Sequence, residues 1–414
     1  MYIFNERSLI FVLLIGTFAV SIFFNSCNQS NKNTVTSSFV LDHNRMLVKA
    51  EIQKKDGTWK KILLWVDSGN PDFLISRQLA LEAGFISDED SAKVVRGELE
   101  INTPISIKTG EMELDYSAAK SIVIFKPFWV FGETHADATI PSTVLMKYDV
   151  AFNYPGKEIT FSKPGTMKFR GTKIPININP STGILQIDGM LGSDSISFAL
   201  DNGASFTFGS TEFLENLKNK YPYLPLCAGA VGYANMWGWG LNENSWIVTH
   251  IPKIAFGTLI LENVGITIPP DYNDKGYGMM DWYSKKTYKP VNGFLGPNSF
   301  KDFKVGIDYV NREIYFEGQY NSRPHDMDIV GITLRPQENG TYVITGTGIK
   351  NETPLVREIQ SGDLLIRIND FNVKNETMGN VVDALRGIPG EIKHLTLQRN
   401  GRMIDIEAKV QSIL

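Results

Sequence analysis

Two aspartates stand at the ends of apolar runs, each followed by a small residue and a glycine. Asp67-Ser68-Gly69 follows Leu63-Leu64-Trp65-Val66, and Asp201-Asn202-Gly203 follows Ile196-Ser197-Phe198-Ala199-Leu200. A carboxylate delivered by a buried strand into a small-residue turn, twice in one chain, is the raw material for a carboxylate pair. Two such carboxyls about 3 Å apart cannot both ionise, so they share one proton. The ionised member takes a proton from a water between them, while the protonated member donates to a scissile carbonyl oxygen. The two apparent pKa values then belong to the pair rather than to either residue. Gly69 and Gly203 let backbone approach the carboxylates closely, and the Ser68 hydroxyl can brace the facing loop.

Other chemistries find little support. The histidines at 43, 135, 250, 325 and 394 are scattered, with no metal-ligand spacing, and His135-Ala136-Asp137 reads as a loop. Cys227 lies alone in an apolar stretch and reads as packing. No metal and no cofactor is expected. The stretch 229–240 mixes glycine with aromatics but lacks the strand-to-helix context of a dinucleotide fingerprint. It suits a mobile hairpin over a cleft, with Tyr233 and Trp237 gripping an extended peptide, or else an ordinary surface hairpin.

The elements around the two aspartates recur. After the first, Phe73-Leu74-Ile75 leads into a helix over Ser76–Ala83 that Gly84 stops. After the second, Phe206-Thr207-Phe208 leads into a helix over Thr211–Leu217, with Thr211 as its cap. Each copy ends in the same alternating pattern, Tyr148–Phe161 and Phe303–Phe316, which predicts a β-hairpin with a two-residue turn, Pro155-Gly156 or Val310-Asn311. Another hairpin is expected from Val48–Ile52, Lys55-Asp56-Gly57-Thr58 and Lys61–Val66.

The 414 residues carry 45 acidic against 41 basic side chains, a net charge of −4, and are 43% hydrophobic. That length allows several domains, and the near-balanced charge excludes a basic nucleic-acid footprint. With 36 glycines and 19 prolines, a turn-rich, mainly β protein is expected. Two cysteines cannot build a disulfide framework. Arg7, the apolar run Leu9–Phe24 and the stop at Asn25-Ser26-Cys27 resemble a bacterial lipoprotein signal, which implies lipidation at Cys27, a membrane anchor and a place in the cell envelope. An uncleaved anchor helix is the other reading of residues 1–27. Residues 28–38, rich in Asn, Ser and Thr, are expected to be a tether.

With its duplicated Asp loops, the chain resembles the aspartic protease superfamily, in particular two-lobed pepsin-like and retropepsin-like proteins. Phe294-Leu295-Gly296 matches the family element that packs beneath the second loop. The resemblance implies two homologous lobes built like six-stranded barrels, at 39–163 and 164–318, with Asp67 and Asp201 catalytic. Ser68, Gly69, Asn202, Gly203, Phe294, Leu295 and Gly296 would support the loops. The substrate would be a polypeptide, and with both loops in one chain the protein would act as a monomer. The chain departs from the pattern at Asn202 where Thr or Ser is usual, at Ala138-Thr139-Ile140-Pro141 where two apolar residues and glycine are usual, and at Asn70-Pro71 where small residues are usual; Asn202 and Ile140-Pro141 weigh most. They favour the alternative, a non-catalytic peptide-binding envelope lipoprotein on the same fold. After a linker at 319–326, residues 327–414 resemble a small α+β PDZ domain of bacterial type. The resemblance rests on Ser361-Gly362-Asp363-Leu364-Leu365-Ile366-Arg367-Ile368-Asn369-Asp370 and a helix over Asn380–Arg386. It implies either capture of an extended strand or chain end at a sheet edge, or packing against the preceding lobes.

Overall fold

The computed structural model describes residues 33–102, 104–125, 136–235, 243–270, 279–322 and 325–414. It is mainly β. The signal segment with Cys27, and Trp237, lie outside the described residues. Among those described, no helix is long and apolar enough to cross a membrane.

Val35, Ser37 and Phe39 are more buried than Thr34, Thr36, Ser38 and Val40 between them, the period of two expected of the strand Thr34–Asp42. The expected tether is therefore corrected from residue 34 onward: Thr34–Ser38 pairs antiparallel with Glu158–Ser162. That pair begins a six-stranded antiparallel sheet that runs through Asp149–Asn153, Lys304–Asp308 and Glu313–Glu317 to Thr172–Pro175. Its two middle strands are the first strands of the two repeated hairpins, so the copies meet edge to edge. Phe152, Phe161, Ile307 and Phe316 are buried beneath it. Each hairpin closes over four residues, not two, since Asn153 pairs with Glu158 and Asp308 with Glu313. The fourth loop residue, Lys157 or Arg312, takes a left-handed φ of 53° or 55°, which lets the longer loop rejoin the strand.

Each copy then builds the same local order. Strand Trp59–Asp67 is followed by Phe73–Ser76 and the helix Arg77–Glu82, whose cap Ser76 accepts from Leu79 N at 3.2 Å. Strand Asp194–Leu200 is followed by Thr207–Gly209 and the helix Thr211–Lys220. The second cap is Ser210 rather than Thr211, because its Oγ reaches Phe213 N at 3.0 Å. This helix also runs past Leu217 to Lys220.

The C-terminal strands Ile332–Pro336, Tyr342–Thr347, Leu364–Ile368, Ile392–Arg399 and Arg402–Lys409 pair antiparallel in that order. The helix Met378–Leu385 starts at Thr377, whose hydroxyl accepts from Asn380 N at 3.1 Å. Asp363 is buried and held by Arg399 through two 2.7 Å bonds, Nε to Oδ1 and Nη2 to Oδ2. This unit does not keep its core to itself. Met327, Ile329, Ile332 and Leu334 pack with Phe206, Val231, Tyr233 and Val248 from the second copy. Cys227 sits in that shared core as a buried free thiol, its pKa pushed up to about 11 by burial.

Candidate active site

Strands Trp59–Asp67 and Asp194–Leu200 deliver their aspartates to one place. Each is flanked by a parallel strand, Ala138–Pro141 and Gly293–Leu295 respectively. Val66 pairs with Ile140 as Leu200 pairs with Leu295, and Asp201 N donates to Leu295 O at 3.0 Å. Phe294, Leu295 and Gly296 thus lie under the second loop, with Thr139, Ile140 and Pro141 in the equivalent place under the first. At Gly296 an added Cβ would lie 2.5 Å from the Phe206 carbonyl carbon, so glycine is required there. On the first side Pro141 opens directly onto Ser142, whose amide donates to Asn70 O at 2.9 Å, and whose hydroxyl reaches the same oxygen at 3.0 Å.

The loops interlock. A Cβ built on Gly69 would fall 2.5 Å from Asp201 Cγ, and one on Gly203 would fall 2.4 Å from Asp67 Oδ1. Each glycine backbone therefore lies directly against the opposite carboxylate. Ser68 Oγ donates to Leu200 O at 3.0 Å and accepts from Asn202 N at 2.9 Å, tying the first loop to the strand end and backbone of the second. The reciprocal tie is missing: Asn202 is fully buried, and neither its Nδ2 nor its Oδ1 has a partner. Replacing Asn202 with Thr, whose shorter hydroxyl can make the tie that Ser68 makes, is expected to stabilise the fold by about 1–2 kcal/mol, as removal of a buried unsatisfied amide predicts. Chemical denaturation of the two proteins checks this; an unchanged midpoint would show the amide to be satisfied.

Both carboxyls are nearly shut from solvent, Asp67 at 7% and Asp201 at 3% exposure. Burial, then the neighbouring Asp201 charge, pushes Asp67 well above the usual carboxylate range. Burial raises Asp201 too, but less, because the amides of Gly203 and Ala204 donate to its Oδ1 at 2.7 and 3.1 Å. Both carboxyls are thus held above the usual carboxylate range and titrate as one coupled pair.

Two further groups face the pair and carry no signal in the local sequence. Tyr283, buried on the short helix Met279–Ser284 against Phe294 and Phe208, hydrogen-bonds Asp201, and burial raises its pKa well above that of free tyrosine. Arg45 follows the left-handed turn residues His43 and Asn44, where an arginine would ordinarily reach solvent; it is 2% exposed and its Nε donates to Gly203 O at 2.9 Å.

Tyr233 does not sit on a hairpin over this cleft. It lies in a 3₁₀ turn, Gly232–Ala234, with its hydroxyl donating to Asp383 of the C-terminal helix at 2.5 Å and its ring stacked on His43. Buried apolar neighbours of the C-terminal unit hold the turn where a flap would have to stay free. Asn235 Nδ2 donates to Leu334 O at 2.6 Å, on the edge strand of the C-terminal sheet. That edge is thereby engaged by the chain itself. Among the described residues, no cluster of three metal-ligating side chains occurs.

No family model matches this sequence, and no curated protein does. Among solved structures, the chain is similar to the crystal structure of the aspartic proteinase from Irpex lacteus. Identity is 12% and the TM-score 0.38, with 69% of this chain and 97% of that chain covered.

Proposed function

We propose that this protein is an aspartic-type endopeptidase in which Asp67 and Asp201 activate a water for attack on a peptide bond. One observation carries the reading: equivalent strands of two repeated units place two buried carboxyls against each other, each lying on the other loop's glycine. The ionised carboxylate of the pair takes a proton from the water as its oxygen bonds to the scissile carbon, and the protonated one donates to the carbonyl oxygen, giving a gem-diol. The first then passes its proton to the leaving nitrogen as the C–N bond breaks, while a gem-diol hydroxyl returns a proton to the second, so no covalent enzyme intermediate forms. Repeated units at 39–163 and 164–318 correspond in this reading to two acid-protease lobes, and the unit from 327 to a PDZ-like module. Because Asn235 and Tyr233 engage one edge strand and the helix of that module, it also braces the second lobe. Both Asp loops belong to one chain, so a monomer suffices. The N-terminal segment supports export and anchoring through Cys27.

The test is incubation with an unstructured peptide library from pH 4 to 8. Cleavage without acyl transfer to an added amine is the expected result. The unpartnered Asn202 amide and Pro141 favour the second reading, a peptide-binding protein without catalysis. Peptide binding with no cleavage anywhere in that range would establish it instead.

A further inference from the structure

We propose that Arg45 is a positioning residue for the Asp67/Asp201 pair, and that the turn carrying it is clamped to the C-terminal helix through Asp42. The inference rests on reading the two aspartates as a hydrolytic pair. A guanidinium withdrawn from water is costly unless it is matched by charge and hydrogen bonds. Arg45 has nearby carboxylates to match its charge, and its Nε is hydrogen-bonded. Its Nε fixes the Gly203 carbonyl, the backbone that lies against Asp67. Its plane sits over the Trp65 ring, 5.8 Å from the centroid, on the strand that delivers Asp67. One side chain thus touches the second loop and the strand of the first.

A neutral donor would hold Gly203 O as well, so the charge itself needs an explanation. Arg45 faces Asp42, Asp201, Asp67 and Glu243; burial draws it down to about 10, which leaves it cationic throughout the range where the pair titrates. Among the described residues, the other titratable groups around the site include Tyr154 and Tyr283, both held neutral by burial, and His43, which burial and then Arg45 lower to about 3. Arg45 is thus, among the described residues, the cation that offsets the charge of the carboxylate pair.

The turn is fixed from the far side. Asp42 Oδ1 accepts from Gly379 N at 2.7 Å in the first turn of the helix Met378–Leu385. His43 Nε2 bonds Asn235 O at 2.8 Å, and Asn44 Nδ2 donates to Ser205 O at 2.9 Å. The C-terminal unit, the Asp42–Arg45 turn and the Asp201 loop form one continuous set of contacts.

The test uses the full chain and two readouts: ¹³C-carboxyl NMR titration of Asp67 and Asp201, and the pH–rate profile on a peptide that wild type cleaves. Arg45→Met is expected to move the pair's titration and the pH optimum upward by about one pH unit, since a neighbouring cation favours the ionised form. It should lower kcat about tenfold or more with KM little changed. Arg45→Lys should hold the titration near wild type. Asp42→Asn, which keeps the oxygen that Gly379 N needs, should move the titration the opposite way. If Arg45→Met does not fold, the Lys and Asp42→Asn results decide the matter. Variants that melt earlier yet titrate and turn over with unshifted profiles would reduce Arg45 to a structural residue and overturn the proposal. A titration that moves as expected in a protein without hydrolysis would sustain the role of Arg45 and refute the endopeptidase reading.

Discussion

Asp67→Asn and Asp201→Asn are each expected to reduce peptide-bond hydrolysis by about 10³-fold or more, and the double variant to lose little beyond either single one. In the proposed reaction each carboxyl performs a proton transfer that an amide cannot, and general acid–base steps are worth about 10²–10⁴-fold. Because the pair shares one proton, removing either member removes the function of both, and the losses do not add. Turnover of a peptide substrate by the four proteins measures this; two single variants of unequal, additive effect would exclude a shared-proton pair. Stability moves the other way. The folded pKa of Asp67 lies above its unfolded value of 3.8, chiefly through burial and then the Asp201 charge. A raised folded pKa contributes stability that is fully present below the unfolded value and lost as pH climbs through the folded one. Asp67→Asn is free of that loss. It should be more stable than wild type at pH 7, with the gap closing as the pH falls below the unfolded value. Denaturation at pH 7 and at a pH below that value reads the difference.

Gly203→Ala is expected to destabilise the fold by roughly 3 kcal/mol or more and to abolish hydrolysis even where folded protein is recovered. The added methyl would lie 2.4 Å from Asp67 Oδ1 and 2.6 Å from Asp67 Cγ. Neither side can give way. Arg45 holds the Gly203 carbonyl, and Asp67 ends a strand paired on both sides, with Leu47–Gln53 and with Ala138–Pro141. Overpacking a closed site costs about 1–3 kcal/mol in ordinary cores, and here it also separates the carboxyls. Gly69→Ala should behave alike, its methyl falling 2.5 Å from Asp201 Cγ. By contrast Gly57→Ala meets nothing within 4 Å; its φ of +84° makes backbone strain its only penalty, so folded Gly57→Ala should hydrolyse peptides normally. Melting temperatures and turnover of the three variants separate close approach from backbone strain. Wild-type turnover in Gly203→Ala would mean that the loops do not need to touch.

Much of the positioning frame was legible in the chain before any tertiary information. Leu63–Val66 is apolar throughout, and Ile196–Leu200 apolar except for Ser197, because the ends of their strands are buried on both faces. Each ends at a small-residue turn because only such residues let a second backbone come so near. The repeated hairpins follow from alternation at Asp149–Asn153 and Lys304–Asp308, although their loop length did not, since a left-handed Lys157 or Arg312 leaves no mark on sequence pattern. The strand at Thr34–Ser38 hid in a polar composition that reads as a tether. It forms because the edge of the Glu158–Ser162 strand is there to receive it.

What the sequence by itself determined is the local part: where strands end, which turns hold Asp67 and Asp201, and that the order of elements occurs twice. These features depend on periodicity and turn chemistry within a few residues. Only the tertiary structure decided the electrostatic part. Arg45 reads as a surface residue until Gly203, 158 positions away, takes its Nε and two distant carboxyls take its charge. Tyr233 reads as a flap residue until the C-terminal helix supplies Asp383 across 150 positions. Tyr283 gives no sign of facing Asp201. The cost of a buried charge or hydroxyl is set by its partners, and partners brought together by folding are not neighbours in the chain.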